Sequence, residues 1–268
     1  MSSETMSPET TGPFGVLLDI DGVLYVGDEP IGGAHEALAE LRRIGGGLRL
    51  VTNTTSRSRR QVAEHLQELG FETSIEEILT PAALAVRHCE EHGHELVELV
   101  VSDGLREDLA AFETPSRSAS VDAVILGDVG DRFDAELLNR VFRLLMDGAE
   151  LIALQHNRYW RRKDGLALDV GAYSAALEYA TRRDALVVGK PSPEFFDAAV
   201  AELGTERNVM IGDDVEADVG GAMSAGLAGV LVRTGKFLQN ALPPEVTPTV
   251  IVDSIVDAPA MLERIFPG

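Results

Sequence analysis

Short apolar runs alternate with longer amphipathic segments along the chain. Phe14–Ile20 is an almost unbroken apolar run broken only by an acid near its end, which predicts a strand buried on both faces. His35–Arg43 carries Ala37, Leu38 and Leu41 at helical spacing, and Gly45–Gly47 stop that helix. Leu48–Thr52 is a second buried strand. Ser56–Leu69 is a second helix, with Ser56 as N-cap and Gly70 as terminator. After Pro81 the texture changes. The long middle section holds strands at Leu96–Val101, Ala123–Leu126 and Leu151–Leu154, and helices at Leu105–Phe112, Ala135–Met146 and Ala172–Ala180. From Ala185 the first texture resumes, with strands at Leu186–Val188, Asn208–Ile211, Gly229–Val232 and Val250–Val252. Helices Pro193–Leu203, Glu216–Ala225 and Ala258–Ile265 lie between and after them.

Strand–helix units with connections this short predict an α/β fold, a Rossmann-like, doubly wound parallel sheet with helices on both faces. Ligands of such sheets sit beyond the carboxyl ends of the strands. Those ends carry Asp19 and Asp21, then Thr52 and Asn53, then Lys190, then Asp213 and Asp214. Four ends far apart in sequence would meet on one edge. Acids, a hydroxyl, an amide and a lysine gathered there make a site rather than a set of turns.

The 268 residues include 44 acidic and 23 basic side chains, a net charge of −21. That length supports one large domain or two small ones. Met1–Gly12 reads as a polar, disordered tail. The single cysteine, Cys89, excludes a disulfide scaffold and fits a reducing, cytoplasmic location. No apolar run approaches the ~20 residues of a membrane span, and no signal-peptide pattern opens the chain. The charge argues against nucleic acid, because phosphate backbones are repelled at long range. A small phosphorylated substrate is still admitted if positive charge is concentrated at one point. Only three lysines are present, at 163, 190 and 236.

Asp-x-Asp alone carries little, since 19 aspartates yield about one such pair by chance. Its place at the end of a buried strand, before Gly22, gives it meaning. Gly212-Asp213-Asp214-Val215-Glu216-Ala217-Asp218 also follows a buried strand. Asp214 serves there either as the next helix's N-cap or as part of the cluster; Asp213 is not needed as a cap. Gathered carboxylates repel one another unless a cation sits between them. With no His or Cys nearby, Mg²⁺ fits better than a transition metal. Lys190, just after a strand and before Pro191, would counter the acids and hold an anion. Thr52 and Asn53 offer hydrogen bonds, and the helix starting nearby offers backbone N–H groups to a phosphate.

Asp19-Ile20-Asp21-Gly22-Val23-Leu24, Thr52-Asn53, Lys190 and Gly212-Asp213-Asp214, in that order, resemble the four motifs of the haloacid dehalogenase superfamily. The long insert between the second and third motifs resembles the C2-type cap of its NagD and p-nitrophenyl phosphatase branch. Gly189–Phe196, Asp218–Ala222 and Arg233–Phe237 look most like a narrower group, which holds a phospholysine phosphohistidine inorganic pyrophosphate phosphatase. The resemblance spans about 14–266. It implies a core of 13–80 and 185–268 and a cap of 81–184, through which two copies would pair. It further implies a phosphatase working through an aspartyl-phosphate, with Asp19 as nucleophile and Asp21 as acid and base. Thr52 and Lys190 would hold the phosphoryl group and Asn53 would orient the loop. Mg²⁺ would be held by Asp19, Asp21 through its carbonyl, and Asp213, with Asp214 and Asp218 acting through water or orienting Lys190.

Within the insert, His156–Lys163 holds the only tryptophan and four basic residues. It reads as a substrate-contacting loop through Asn157 and Tyr159, against an exposed hairpin for Arg161, Arg162 and Lys163. His88 and His92, one helical turn apart, read as solvated residues of a helix end at Gly93 rather than as a metal pair. Two other activities compete: a receiver-like protein that stores phosphate on Asp19, and a metal-independent dehalogenase.

Overall fold

The computed structural model describes residues 13–112, 120–162, 165–237 and 246–266, with backbone alone for 160–162. The expected tail Met1–Gly12 and Lys163 lie outside the described residues, as do the side chains of Trp160, Arg161 and Arg162.

The chain begins with β1 (Phe14–Asp19), every residue of which is buried. A small antiparallel pair follows, β2 (Tyr25–Val26) and β3 (Glu29–Pro30), and then α1 (Ala34–Ile44) and β4 (Gly47–Val51). Next come α2 (Arg59–Glu68), β5 (Ile78–Leu79), α3 (Pro81–His92) and β6 (Val97–Val100). The middle section continues with β7 (Ala123–Leu126), α4 (Ala135–Met146) and β8 (Glu150–Ala153). A hairpin of β9 (Tyr159–Arg162) and β10 (Gly165–Leu168) leads to α5 (Val170–Thr181) and β11 (Leu186–Val187). The last part runs α6 (Pro193–Leu203), β12 (Arg207–Gly212), a wide π-helical stretch Val215–Gly220, α7 (Gly221–Ser224), β13 (Ala228–Val232), β14 (Val250–Val252) and α8 (Ala258–Ile265).

Two parallel sheets result. The larger has the order β14-β13-β12-β1-β4-β5 and the smaller β11-β8-β7-β6. Alternation along β1 sends Val16 and Leu18 to one face of the larger sheet and Leu17 to the other. The first face packs on α1, α2 and α8 through Leu38, Leu41, Leu66 and Leu262. The second packs on α3 and α6 through Leu84, Phe195 and Phe196, and joins Ile125 and Ile152 of the smaller sheet. A third apolar cluster fills the space between the smaller sheet and the helices α4 and α5. The expected α/β fold is present, as a doubly wound core with a second α/β layer.

Four local expectations are corrected. Leu186–Val187 was expected in the main sheet, but it pairs with Ile152 and Ala153 in the smaller one. The described backbone over 103–112 holds one tight turn, Asp103–Leu105, and further turns rather than an α-helix. Its acids instead serve α2: Ser58 Oγ donates to Glu107 (2.9 Å) and Arg59 N to Asp108 (2.9 Å). The N-cap of α2 is therefore Ser58, closed by a reciprocal box with Gln61, and not Ser56. The helix expected over Glu216–Ala225 divides into the π-helical stretch and the single turn of α7.

Candidate active site

Asp19 ends β1, Thr52 follows β4, Lys190 follows β11 and Asp213 follows β12, so all four reach one edge of the core. Lys190 Nζ donates to Asp19 Oδ1 at 2.6 Å and pairs with Asp218 Oδ1 at 2.7 Å. All three side chains are buried. A buried ammonium between two carboxylates satisfies charges that would each be costly alone. Burial pulls the Lys190 pKa down, but the two aspartates outweigh it and hold the lysine charged. Asp19 is pushed well above the usual carboxylate value by burial first and by Asp218 next, with Lys190 opposing. One cation here faces several acids, so negative charge is in excess if all of them ionise.

Asp213 is 2% exposed. Its Oδ2 accepts from the backbone N–H of Lys236 at 2.6 Å, while its buried Oδ1 has no hydrogen-bond partner. Burial raises it to about 6, against the Lys236 N–H and with help from Asp218. Gly22 and Gly235, both at positive φ, close on that carboxylate so tightly that a Cβ on either would overlap Oδ2. Oxygens of Asp19, Asp213 and Asp218 lie within 4.8 Å of one another. A buried, unpartnered acceptor among oxygen donors alone fits a hard divalent cation. Asp218 joins this acid cluster while pairing with Lys190.

The other sequence-predicted residues divide. A cavity of about 270 Å³ is lined by Asp19, Asp21, Thr52, Asn53, Asn157, Lys190, Asp214 and Asp218, together with Thr54, Ala217 and Lys236. Asn53 pins the lysine loop: its Nδ2 donates to Lys190 O (2.7 Å) and its Oδ1 accepts from Lys190 N (2.9 Å). Asp214 is the cap of the π-helical stretch, accepting from Glu216 N and Ala217 N. Asn157 reaches the cavity from the smaller sheet's side, but Tyr159 is 55% exposed and does not line it. The first N–H groups of α2 are taken by Asp108 and by Ser58, so those two donors are not offered to a phosphate.

Sequence reasoning missed three contributors. Lys236 acts through its backbone N–H, which side-chain chemistry cannot announce. Thr234 Oγ1 donates to Gly22 O at 2.5 Å and brings 234–236 against the Asp19–Gly22 turn. Gln155 Nε2 donates to the buried Asp169 (2.5 Å), and its Oε1 accepts from Asn157 N, fixing that loop. The stretch Arg233–Phe237 was the available signal for the first two.

An acid-and-lysine edge on a doubly wound sheet, with a second α/β layer over it, defines a phosphatase-type hydrolase. The chain belongs to the haloacid dehalogenase-like hydrolase family, in its NagD and p-nitrophenyl phosphatase-like branch. Residues 16–114 match the profile of haloacid dehalogenase-like hydrolases and 187–258 that of HAD-hydrolase-like domains. It is 44% identical over 224 residues to haloacid dehalogenase-like hydrolase domain-containing protein 2 of Bos taurus, covering 83% of this chain and 85% of the relative. Human phospholysine phosphohistidine inorganic pyrophosphate phosphatase is 40% identical over 260 residues, covering 94% of each chain. Among solved structures, the glycerol phosphate phosphatase of Mycobacterium tuberculosis in complex with magnesium superposes with a TM-score of 0.77 at 29% identity, covering 91% of this chain and 75% of that one.

Proposed function

We propose that this chain is a Mg²⁺-dependent phosphatase that hydrolyses a small phosphate ester, phosphoamide or pyrophosphate through an aspartyl-phosphate on Asp19. The carrying observation is the convergence of Asp19, Asp213 and Asp218 around buried Lys190, with one Asp213 oxygen unpartnered. Asp19, Asp213 and the backbone carbonyl of Asp21 would hold the ion, with Asp218 close by. When bound, Mg²⁺ supplies positive charge between the nucleophile and an anionic substrate.

Asp19 attacks phosphorus in line, forming an O–P bond as the bond to the leaving oxygen or nitrogen breaks. Asp21, which is exposed and lines the same cavity, gives the leaving atom its proton. It then takes a proton from the water that cleaves the acyl phosphate. Lys190 and Thr52 hold the phosphoryl oxygens, where negative charge spreads in the transition state. Asn53, with both amide atoms on the Lys190 backbone, orients rather than touches the substrate. Asn157 contributes from the cap, taken as 81–184 with its sheet running on to Val187. Phosphate storage on Asp19 needs no Asp21 in the cavity, which favours turnover. Cys89, buried and free, accords with a cytoplasmic location, and β6 is an outer strand through which two caps would pair. No described helix is long and apolar enough to cross a membrane.

The test is phosphate release from p-nitrophenyl phosphate, phosphoamino acids and pyrophosphate with and without a chelator. Mg²⁺-dependent release from at least one is expected, and its absence from all overturns the reading. Asp21→Asn should slow turnover by about 10²–10⁴-fold and let phosphoenzyme accumulate; unchanged turnover would remove Asp21 from proton transfer.

A pH dependence follows from Asp213. Its folded value, about 6, lies above its ordinary 3.8, so its ionisation costs stability as pH rises through that window. Mg²⁺ binds the ionised form and offsets that cost only where the carboxyl is ionised. The rise in melting temperature on adding Mg²⁺ should therefore be larger at about pH 7.5 than at about pH 5. Equal shifts at both would take Asp213 out of the ion's ligands.

A further inference from the structure

Away from the acid cluster, His88, His94 and Glu150 meet at the other end of the smaller sheet. His88 lies one turn before the end of α3, His94 just beyond that end, and Glu150 is the first residue of β8. The opposite end of β8 leads through Leu154 and Gln155 to Asn157 and the catalytic cavity. A strand's length separates the two places.

Both imidazoles aim at one oxygen. His88 Nε2 lies 2.9 Å and His94 Nε2 2.8 Å from Glu150 Oε2. The left-handed turn at Gly93 ends α3 and folds His94 back, its N–H donating to Cys89 O at 2.8 Å. That reversal brings the two rings to 6.0 Å. His92, the residue one turn from His88 in sequence, takes a different part. Its ring stacks on His88 at 4.0 Å, and its Nδ1 contacts His88 O at 2.9 Å. His92 therefore props the first ring rather than joining the convergence.

We propose that His88, His94 and Glu150 form a second metal site, one that takes Zn²⁺ or a similar nitrogen-preferring divalent ion. Two imidazoles and a carboxylate are a donor set such ions favour, whereas Mg²⁺ prefers oxygen alone. Geometry allows it with little movement. Ligands at 2.0–2.2 Å around a tetrahedral ion stand about 3.4 Å apart, so the Glu150 oxygen need move away from each ring nitrogen by only about half an ångström. Entry is open as well. The three side chains are 18%, 19% and 37% exposed, enough for an ion to arrive and for water to complete its shell. The bound ion would tie the end of α3, which packs against both sheets, to the start of β8.

The site is tested by titrating Zn²⁺ into the full chain against a chromophoric chelator, with Mg²⁺ saturating so that the acid cluster is filled. One zinc per chain is expected. His94→Gln and Glu150→Gln should each weaken it by at least ~10-fold, His92→Gln, which removes only the support of His88, by less, and Asp213→Asn not at all. No zinc binding, equal loss in His92→Gln, or loss in Asp213→Asn alone would overturn the proposal. Should a variant fold poorly, anomalous scattering at the zinc edge from a soaked crystal of the unaltered chain decides it. A peak between the three side chains supports the site and an empty map there refutes it. The outcome is independent of the phosphatase reading, because none of these three residues lines the catalytic cavity.

Discussion

Asp19→Asn will bring phosphate release down by a factor on the order of 10⁴ or more, to background, while the chain stays folded. The amide keeps the shape of the carboxylate but cannot form an acyl phosphate. Stability should not fall with it. The native carboxyl is held well above its ordinary pKa by burial and by Asp218, so its charge is a burden on the fold. Lys190 keeps Asp218 as partner at 2.7 Å when Asp19 is neutralised. The expected melting temperature is thus equal to or above that of the unaltered chain near neutral pH. Turnover within tenfold of normal would end the nucleophile assignment; a collapsed fold would contradict the charge argument instead.

Lys190→Ala should be the more damaging change, because it removes activity and stability together. It leaves Asp19 and Asp218 buried and facing each other without their shared cation. Breaking a buried pair in this way costs about 3–5 kcal/mol, with Asp19 driven to take up a proton once the lysine that opposes its raised pKa is gone. The folded pKa of Asp19, already raised, then rises further above its unfolded value, so the deficit grows as pH rises and shrinks in acid. The measurement is thermal unfolding of the variant across about pH 5 to 8, paired with phosphate inhibition of the enzyme. A deficit largest near neutrality and weakened phosphate affinity are expected. A flat profile with normal affinity would show that this lysine neither balances the acids nor holds the anion.

Much of this geometry could be read from residue order, and the exceptions have physical causes. Phe14–Asp19 and Arg207–Gly212 were legible because strands buried on both faces read as continuous apolar runs. Asp19, Thr52, Lys190 and Asp213 were legible because each lies at or just beyond a strand end. The partner of Leu186–Val187 was not, since two apolar residues carry nothing that distinguishes one sheet from another. The turn that brings Asp218 to Lys190 was not legible, since nothing in the residue order marks a π-helical stretch. In the π-helical stretch Asp218 N and Val219 N both donate to Asp214 O, a wider turn that presents Asp218 to Lys190. The meeting of His94 with Glu150 was not legible for another reason: 56 residues separate them, and only the fold brings them together.

The strand that carries Lys190 has a bearing on protein engineering. Val187 pairs with the smaller sheet and Val188 N still donates to Ala153 O, yet two residues later the Lys190 backbone is clamped by Asn53 from the larger one. Gly189 is wedged between Leu154 O and the Asn53 side chain, with no room for a Cβ. The seam for grafting a foreign lid onto this scaffold is therefore a single residue wide. A splice made after Lys190 would carry the charge centre away with the lid, and one made before Leu186 would leave that short strand on the scaffold without Ile152 and Ala153 to pair with.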